Sequence, residues 1–270
     1  KVTGATVHFV NEITDGGDTT PLPHRAPQYV SAVEFPAPLP GLRYFAASYN
    51  PITNTLDFTG CTNLEAVECF YAAPLRHVVL TNLPNLKRVC FEDADLQELD
   101  LSDLPALGDV RGALNAYTEI RAGRGTGPAI WHWCTRDNPQ LTQSFQDLMT
   151  NFFALRELYI WNDNQSGRLA PVSTNLVDLQ AFDNAYTSAD LAGKHTLRNC
   201  VLSRNLLTNL VIAGCAALEV FEVRGNRLGT AALDELLAAL DTNAPALYRA
   251  DLAANAQLPS DSGYAHYSNL

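Results

Sequence analysis

Apolar residues recur along this chain in a phrase of eleven positions. Positions 1, 4, 6 and 11 are apolar and position 9 is most often Asn, as in the copy that runs from Leu197 to Leu207. Alternation over such short spans predicts strands rather than helices, and a second apolar half-phrase in the early copies predicts an extended segment on the opposite side of each coil. The ten copies start at Leu42, Leu64, Leu86, Leu107, Ile130, Leu155, Leu176, Leu197, Leu218 and Leu247.

Asparagine at position 9 is the most regular polar feature of the phrase. Asp163 takes this place in one copy, and Ala72 and Ala94 take it in two others. Because the Asn side chain offers an acceptor and two donors, stacked asparagines are expected to satisfy the turn backbone of neighbouring coils, where an unpaired buried peptide group costs about 1–3 kcal/mol. The seven members of this predicted structural ladder are Asn50, Asn115, Asn138, Asn184, Asn205, Asn226 and Asn255.

A phrase of this kind, repeated every 21 to 29 residues from Leu42 to Asn255, resembles the leucine-rich-repeat family. The short, helix-poor coil is similar to the repeats of bacterial surface and phage-encoded members. The resemblance implies a leucine-rich-repeat solenoid of the α/β class, rich in β-structure: a right-handed curved coil of about ten repeats with a parallel concave sheet and few helices. We expect an N-terminal cap or small adaptor segment at 1–41, the solenoid at 42–255, and a remnant of a C-terminal cap at 256–270.

Two of the longer intervals between copies carry apolar residues at helical spacing. The first predicts a helix over 144–153 that begins after a capping Ser144. The second predicts a helix around Leu233–Leu240, with Thr230 as its cap. Before the repeats, alternation predicts a strand at Thr6–Val10, Asp15–Asp18 indicates a turn, and Tyr29–Phe35 resembles a half-repeat strand.

Charge narrows the range of partners. The chain has 29 acidic and 18 basic residues, a net charge of -11, which makes nucleic acid an unsuitable partner. It has no run of 18 apolar residues, so no transmembrane segment is expected. The first residue is not Met and no apolar leader follows, so either a leader has been removed or the sequence starts within a longer protein.

Six cysteines show no CxxC spacing, and we expect buried, reduced side chains. A reduced set suggests the cytoplasm, whereas the family resemblance favours the cell surface, the extracellular space or a virion. The sequence therefore leaves the localisation open, together with the oligomeric state.

The residues that point outward from the concave strands are the candidates for binding. They include two aromatic groups with adjacent arginines, a composition typical of binding hot spots. A protein partner on this face is the first hypothesis; a structural role in a virion, tail or surface assembly, and carbohydrate binding, are the alternatives. The candidate residues are Trp131, His132, Arg136, Arg156, Tyr159, Trp161, Phe182, Tyr44, Phe70 and Tyr71.

No catalytic constellation can be recognised in the sequence. The six histidines are scattered without the spacing of a zinc site, and there is no GxSxG motif or catalytic cysteine–histidine arrangement. We therefore predict no metal, no cofactor and no enzymatic activity.

Overall fold

The computed structural model describes residues 5–8, 30–35, 37–123 and 126–269. Its main element is an eleven-stranded parallel sheet in which neighbouring strands belong to successive coils. Ten of these strands come from the ten phrases, as predicted, and the eleventh pairs with the first of them at the N-terminal end. The strands are β1 (Ala5–His8), β2 (Leu42–Ala46), β4 (Ala66–Glu68), β6 (Arg88–Cys90), β8 (Asp109–Arg111), β10 (His132–Cys134), β11 (Glu157–Tyr159), β13 (Asp178–Gln180), β15 (Asn199–Val201), β17 (Val220–Glu222) and β18 (Arg249–Asp251).

The opposite, convex side carries short parallel strands in three separate sheets. Each coil thus crosses from the large sheet to the back and returns through a turn. The back strands are β3 (Leu56–Asp57) with β5 (Val78–Val79), β7 (Glu98–Asp100) with β9 (Glu119–Arg121), and β12 (Ser166–Leu169), β14 (Ala185–Asp190) and β16 (Asn209–Val211).

The core lies between the two sides and is built from stacked repeat positions. Position 4 is the middle residue in nine of the ten repeat strands, and it is fully buried where it is Val67, Trp133 or Phe221. The ten repeat strands of the large sheet pair in register, so that Leu179 lies opposite Cys200 and both point inward. All six cysteines are buried and free, and four of them (Cys61, Cys69, Cys200 and Cys215) belong to this core.

Both predicted helices are present. The first is shorter than the sequence predicts, and the second has a different N-cap residue. The predicted helix over 144–153 is a single turn, α1 (Phe145–Leu148), followed by a 3-10 turn (Met149–Asn151), although Ser144 does cap its start. The helix α2 (Thr230–Asn243) begins one residue earlier than expected, because Gly229 occupies the cap position. Thr230 instead donates its hydroxyl to the carbonyl of Leu258 (2.8 Å).

The two ends of the chain are described to different extents. The predicted N-terminal strand is present as β1, whereas Phe9, Val10, the turn at 15–18 and Tyr29 lie outside the described residues. Residues 30–35 form no strand, but Val33 is buried in the core and bonds to Asn54 as part of an extended half-coil. A second 3-10 turn spans Gly127–Ala129.

At the C-terminal end a further helix, α3 (Asp261–Tyr267), packs on α2. Ser260 donates to Asp234 (2.6 Å), and His266 lies 2.8 Å from Asp241. Within the part of the chain that the structure describes, no helix combines the length and apolar composition needed to cross a bilayer.

The position-9 asparagines bond to the backbone of the coil before them. Asn205 accepts from the N–H of Tyr186 (3.1 Å) and donates to the carbonyls of Ala181 (2.9 Å) and Leu202 (3.0 Å). Asn226 repeats the pattern one coil later, donating to the Leu202 carbonyl at 2.9 Å. Successive coils are thus joined by side-chain amides at the turn that follows each strand.

Position 8, directly before the ladder, has a left-handed backbone in all ten coils, with φ between 50° and 70°. This turns the chain sharply after the strand, so that the next side chain points into the solenoid. Only one of the ten residues is glycine, although other residue types adopt this conformation at a cost. The residues are Tyr49, Tyr71, Asp93, Leu114, Asp137, Asn162, Asp183, Arg204, Gly225 and Ala254.

Candidate interaction surface on the concave face

A continuous strip of rings crosses the middle of the large sheet. Its members come from three successive coils, and each ring contacts the next. Trp131, His132 and Tyr159 follow one another at centroid distances of 5.6 Å, and Trp161 lies 6.2 Å from Tyr159. Phe182 stacks on Trp161 at 5.0 Å with an interplanar angle of 12°.

Arginines cover the two outer faces of the stacked pair. The guanidinium of Arg136 lies 5.1 Å from the centre of the Trp161 ring, and that of Arg204 lies 5.4 Å from the Phe182 ring. Since these residues belong to four successive coils, they form layers in the order Arg136, Trp161, Phe182, Arg204. Cation–π contacts of this kind contribute about 0.5–1 kcal/mol at exposed sites. We call these four residues, with Trp131, His132 and Tyr159, the aromatic–arginine strip.

Ion pairs hold the arginines of this strip in place. Arg136 bonds to Asp137 (2.9 Å). Arg204 binds both carboxylate oxygens of Asp183, through Nε and through Nη2, the latter at 2.6 Å. The hydroxyl of Tyr159 donates to Asp178 (3.1 Å). Burial, and then the nearby charges of Asp178 and Glu157, raise the pKa of Tyr159 well above its usual value, so it stays a neutral donor.

Comparisons with known proteins identify the fold. No protein-family profile matches the sequence, and a search of curated proteins finds no match. Among solved structures, an internalin from Listeria monocytogenes superposes with a TM-score of 0.61 at 14% identity. The match covers 85% of this chain and 66% of the internalin, slightly less than two thirds of it. This chain has a leucine-rich-repeat fold.

Two other leucine-rich-repeat structures are similar at a lower level. A plant peptide hormone receptor, RGFR1 in complex with RGF2, matches with a TM-score of 0.48 and 13% identity, over 80% of this chain and 44% of the receptor. A chain of an octameric complex of Latrophilin 3, Unc5D and FLRT2 matches with a TM-score of 0.39 and 11% identity, over 82% of this chain and 87% of that chain.

His132 is less accessible than its outward position in the repeat suggests. It is 5% exposed, and its Nδ1 lies 2.8 Å from Oδ1 of Asp109, which is also buried. Burial alone would raise the pKa of Asp109, but hydrogen bonds from His132 and Arg111 hold it below its usual value. His132 therefore supports the strip from beneath and is a poor candidate for direct contact with a partner.

Trp131 is the most exposed ring of the strip, at 40%. Its indole lies over Gly108, where a Cβ would approach Cδ1 of the ring to 2.8 Å. Arg156, on the next coil, is exposed, and none of the ion pairs among the described residues involves it. These two side chains are open for contact at one border of the strip.

The other three candidates lie in the first coils, apart from the strip. Tyr71 stacks on Tyr49 at 5.1 Å, and Phe70 meets the edge of Tyr49 at the same distance. Tyr44 bonds to Glu68, and its pKa is raised well above the usual value by burial and then by that hydrogen bond. The ten sequence candidates therefore divide into two separate surfaces.

The sequence candidates did not include Arg204, which completes the strip. Arg204 stands at position 8, one place after the column that contains Trp161 and Phe182, and its left-handed backbone (φ 54°) precedes the inward turn at Asn205. The sequence shows the position of Arg204 in the repeat. It does not show that the left-handed turn brings the side chain over Phe182.

Two cysteines on this face are buried. Burial raises the pKa of the Cys134 and Cys90 thiols to about 12, so the thiolate needed for nucleophilic attack is disfavoured at neutral pH. Among the described residues, no group of three or more His, Cys, Asp or Glu side chains is placed to hold a metal ion.

Proposed function

We propose that this chain is a non-enzymatic recognition module that binds a protein partner through the aromatic–arginine strip. The observation that carries the proposal is the layered stack of Arg136, Trp161, Phe182 and Arg204 on a rigid parallel sheet. Tryptophan, tyrosine and arginine dominate the binding energy of protein interfaces. Side chains already fixed by ring contacts and ion pairs lose little further freedom on binding, which favours affinity.

A protein partner fits this geometry better than a sugar does. A sugar ring stacks on an open aromatic face, but both faces of Trp161 and of Phe182 are covered by their neighbours in the stack. What the stack offers to solvent is ring edges and charged groups. Of the strip, Trp131 alone combines high exposure with a border position, and one ring is a small platform for carbohydrate.

The charge of the concave face also suits a protein surface of mixed charge. Although the chain is strongly acidic, 10 of its 18 Lys and Arg residues stand at outward positions of the large sheet, against 12 of its 29 Asp and Glu residues. Alternating charges favour one register of a partner with the complementary pattern. The basic residues are Arg43, Lys87, Arg88, Arg111, Arg136, Arg156, Arg198, Arg204, Arg224 and Arg249.

A structural role in an assembly is the second candidate. It is supported by two exposed apolar side chains in the last coil, Tyr248 and Leu258, which are 75% and 72% exposed. Sedimentation velocity at increasing concentration tests it, since an assembly role through this end predicts self-association that Tyr248→Ser with Leu258→Ser abolishes. A monomer at every concentration would remove this support.

Matched variants test the first proposal. Immobilised wild-type protein, Trp161→Ala and Phe153→Ala would be exposed to an extract of the source organism and the captured proteins identified. Phe153 is a suitable control because it is 59% exposed and lies between α1 and β11, away from the strip. The proposal predicts a protein retained by wild type and Phe153→Ala and lost by Trp161→Ala. If all three retain the same proteins, the strip is not the binding surface.

A further inference from the structure

The back of the solenoid has two interruptions between its three sheets. Side-chain amides satisfy open backbone groups at the interruption between β9 and β12 and at the N-terminal side of β3. An Asn or Gln from a neighbouring coil takes the place of the missing strand and bonds to the free peptide groups. These bonds join Asn54 to Val33 (3.1 and 2.7 Å), Gln143 to the Ile120 N–H (3.0 Å), Gln165 to the Phe145 N–H (2.8 Å) and Gln146 to Ala170 (2.7 and 3.1 Å).

The interruption between β5 and β7 has no such closure. On β5, the carbonyls of His77 and Val79 accept from the β3 side, at 3.2 and 3.1 Å. Because successive residues of a strand direct their peptide groups to opposite edges, those of Val78 and Leu80 face β7. The two strands nevertheless belong to different sheets.

The facing edge of β7 is open in the same way. Leu101 donates its N–H to the carbonyl of Arg121 on the β9 side (2.7 Å), so the peptide groups of Glu98 and Asp100 point towards β5. Within the described ranges, no hydrogen bond crosses from either edge to the other. Two unpaired edges thus face each other across a groove of about 310 Å³ lined by residues 77–82, 98, 100, 102, 103 and 121.

The groove is negatively charged. Glu98, Asp100 and Asp103 line it and are exposed, and Arg121 is its single arginine. Arg121 forms an ion pair with Glu119 on its own strand. Its Nη2 lies farther, 3.8 Å, from Oε2 of Glu98 on the neighbouring strand. The carboxylates of the groove therefore exceed its cationic charge, and a basic ligand would be attracted.

We propose that this groove binds an extended, basic segment of a partner protein by strand addition. The backbone of the segment pairs with Val78 and Leu80 on one side and with Glu98 and Asp100 on the other, as in peptide recognition by sheet edges. Alternate side chains of an added strand point outward, next to the exposed Glu98 and Asp100, and are lysine or arginine. The intervening side chains point towards the core and are small and apolar.

A synthetic ten-residue peptide of alternating Lys and Val tests the proposal. Fluorescence anisotropy of the labelled peptide with the full chain should give saturable binding. Amide hydrogen exchange followed by NMR should slow at least tenfold at the N–H groups of Val78, Leu80, Glu98 and Asp100 when the peptide is bound. Binding without protection of these four amides would overturn the proposal.

Charge reversal with a matched control separates the groove from general attraction to an acidic protein. Asp100 and Asp190 both accept the N–H two residues ahead, at 2.9 and 3.1 Å, but β14, which contains Asp190, is paired on both sides. Asp100→Lys should weaken peptide binding at least tenfold, whereas Asp190→Lys, which changes the net charge by the same amount, should not. An equal loss in both variants would overturn the proposal.

A second peptide keeps the test decisive if Asp100→Lys does not fold. Methylation of alternate backbone amides retains the charge of the peptide and removes the donors that an added strand needs. The methylated peptide should bind at least tenfold more weakly to the wild-type chain. Equal affinity would overturn the proposal. Protection of the four amides that increases with protein concentration in the absence of peptide would also overturn it, because a second copy of this chain would then occupy the groove.

Discussion

Asp163 occupies the ladder position that seven other coils fill with Asn, and it is completely buried. Its Oδ1 accepts the N–H of Asn138 (2.9 Å), as the asparagines do, and its Oδ2 accepts from the hydroxyl of Thr135 (3.0 Å). Burial raises the pKa of Asp163 well above the usual value, against the opposing effect of these two hydrogen bonds. The folded chain therefore carries a protonated Asp163 at pH values where the unfolded chain carries a carboxylate.

Replacing this carboxyl with an amide should stabilise the protein in a pH-dependent manner. Above the unfolded pKa of 3.8 the folded state binds the extra proton, so the stability of the wild type falls by about 1.4 kcal/mol per pH unit until the folded pKa is reached. The Asp163→Asn variant has no titrating group at this position, so its stability does not fall with pH for this reason. In urea titrations the variant should match the wild type near pH 4 and exceed it at pH 7–8, since other carboxylates titrate equally in both. A difference independent of pH would contradict this account.

The left-handed residue at position 8 gives a second prediction at this scale. Leu114 has φ 56° and is 42% exposed, so its side chain gains little from burial while its backbone is strained. Asparagine tolerates this conformation, whereas a β-branched residue does not. Leu114→Asn should raise the free energy of unfolding by about 1 kcal/mol, and Leu114→Val should lower it by a similar amount. Thermal melts in which the melting temperatures of both variants shift in the same direction would contradict the idea that the backbone of Leu114 is strained.

At the scale of elements, the ladder is the link between coils. Asn205→Ala removes four hydrogen bonds to backbone groups and should lower the free energy of unfolding by roughly 1–3 kcal/mol. Asn209, on the back strand β16, is exposed, and its replacement by Ala should change stability by less than about 0.5 kcal/mol. Chemical denaturation of the two variants checks the contrast, and equal effects would show that Asn205 is not a structural rung.

The same scale shows which parts of the fold the sequence predicts. The strands of the large sheet are predicted by the apolar positions 1, 4 and 6, because a strand is determined by residues only a few positions apart in the sequence. The helix over 144–153 was predicted too long: Phe153 fits the helical spacing, yet it is 59% exposed, and the chain ends the turn at Phe152 to enter the next strand. Periodicity reports which face can be buried, but tertiary connections decide where a helix ends.

The candidate surface was predictable only in part for a related reason. The repeat gives each side chain a row and a column on the sheet, and so it places Trp161 and Phe182 side by side. It does not say which side chains cover others, and therefore it did not reveal that His132 is buried beneath Trp131 and Tyr159 or that Arg204 closes the stack. Contacts between neighbouring rings depend on side-chain conformations that the pattern does not encode.

At the scale of the whole molecule, the solenoid presents two unlike surfaces. The concave face combines the aromatic–arginine strip with nearly balanced charge, whereas the convex side has the open, negatively charged groove between β5 and β7. Loss of a partner by variants of one face with retention by variants of the other would show that the two surfaces act independently.

We propose that the aromatic–arginine strip carries the binding energy for a protein partner. Calorimetric titration of the purified captured partner against wild type, Trp161→Ala and Phe153→Ala tests it most directly, with melting curves confirming that each variant is folded. A hot-spot residue contributes about 2 kcal/mol or more, so the Kd for Trp161→Ala should rise at least about 30-fold, and that for Phe153→Ala should not change. An unchanged Kd for Trp161→Ala would contradict the claim.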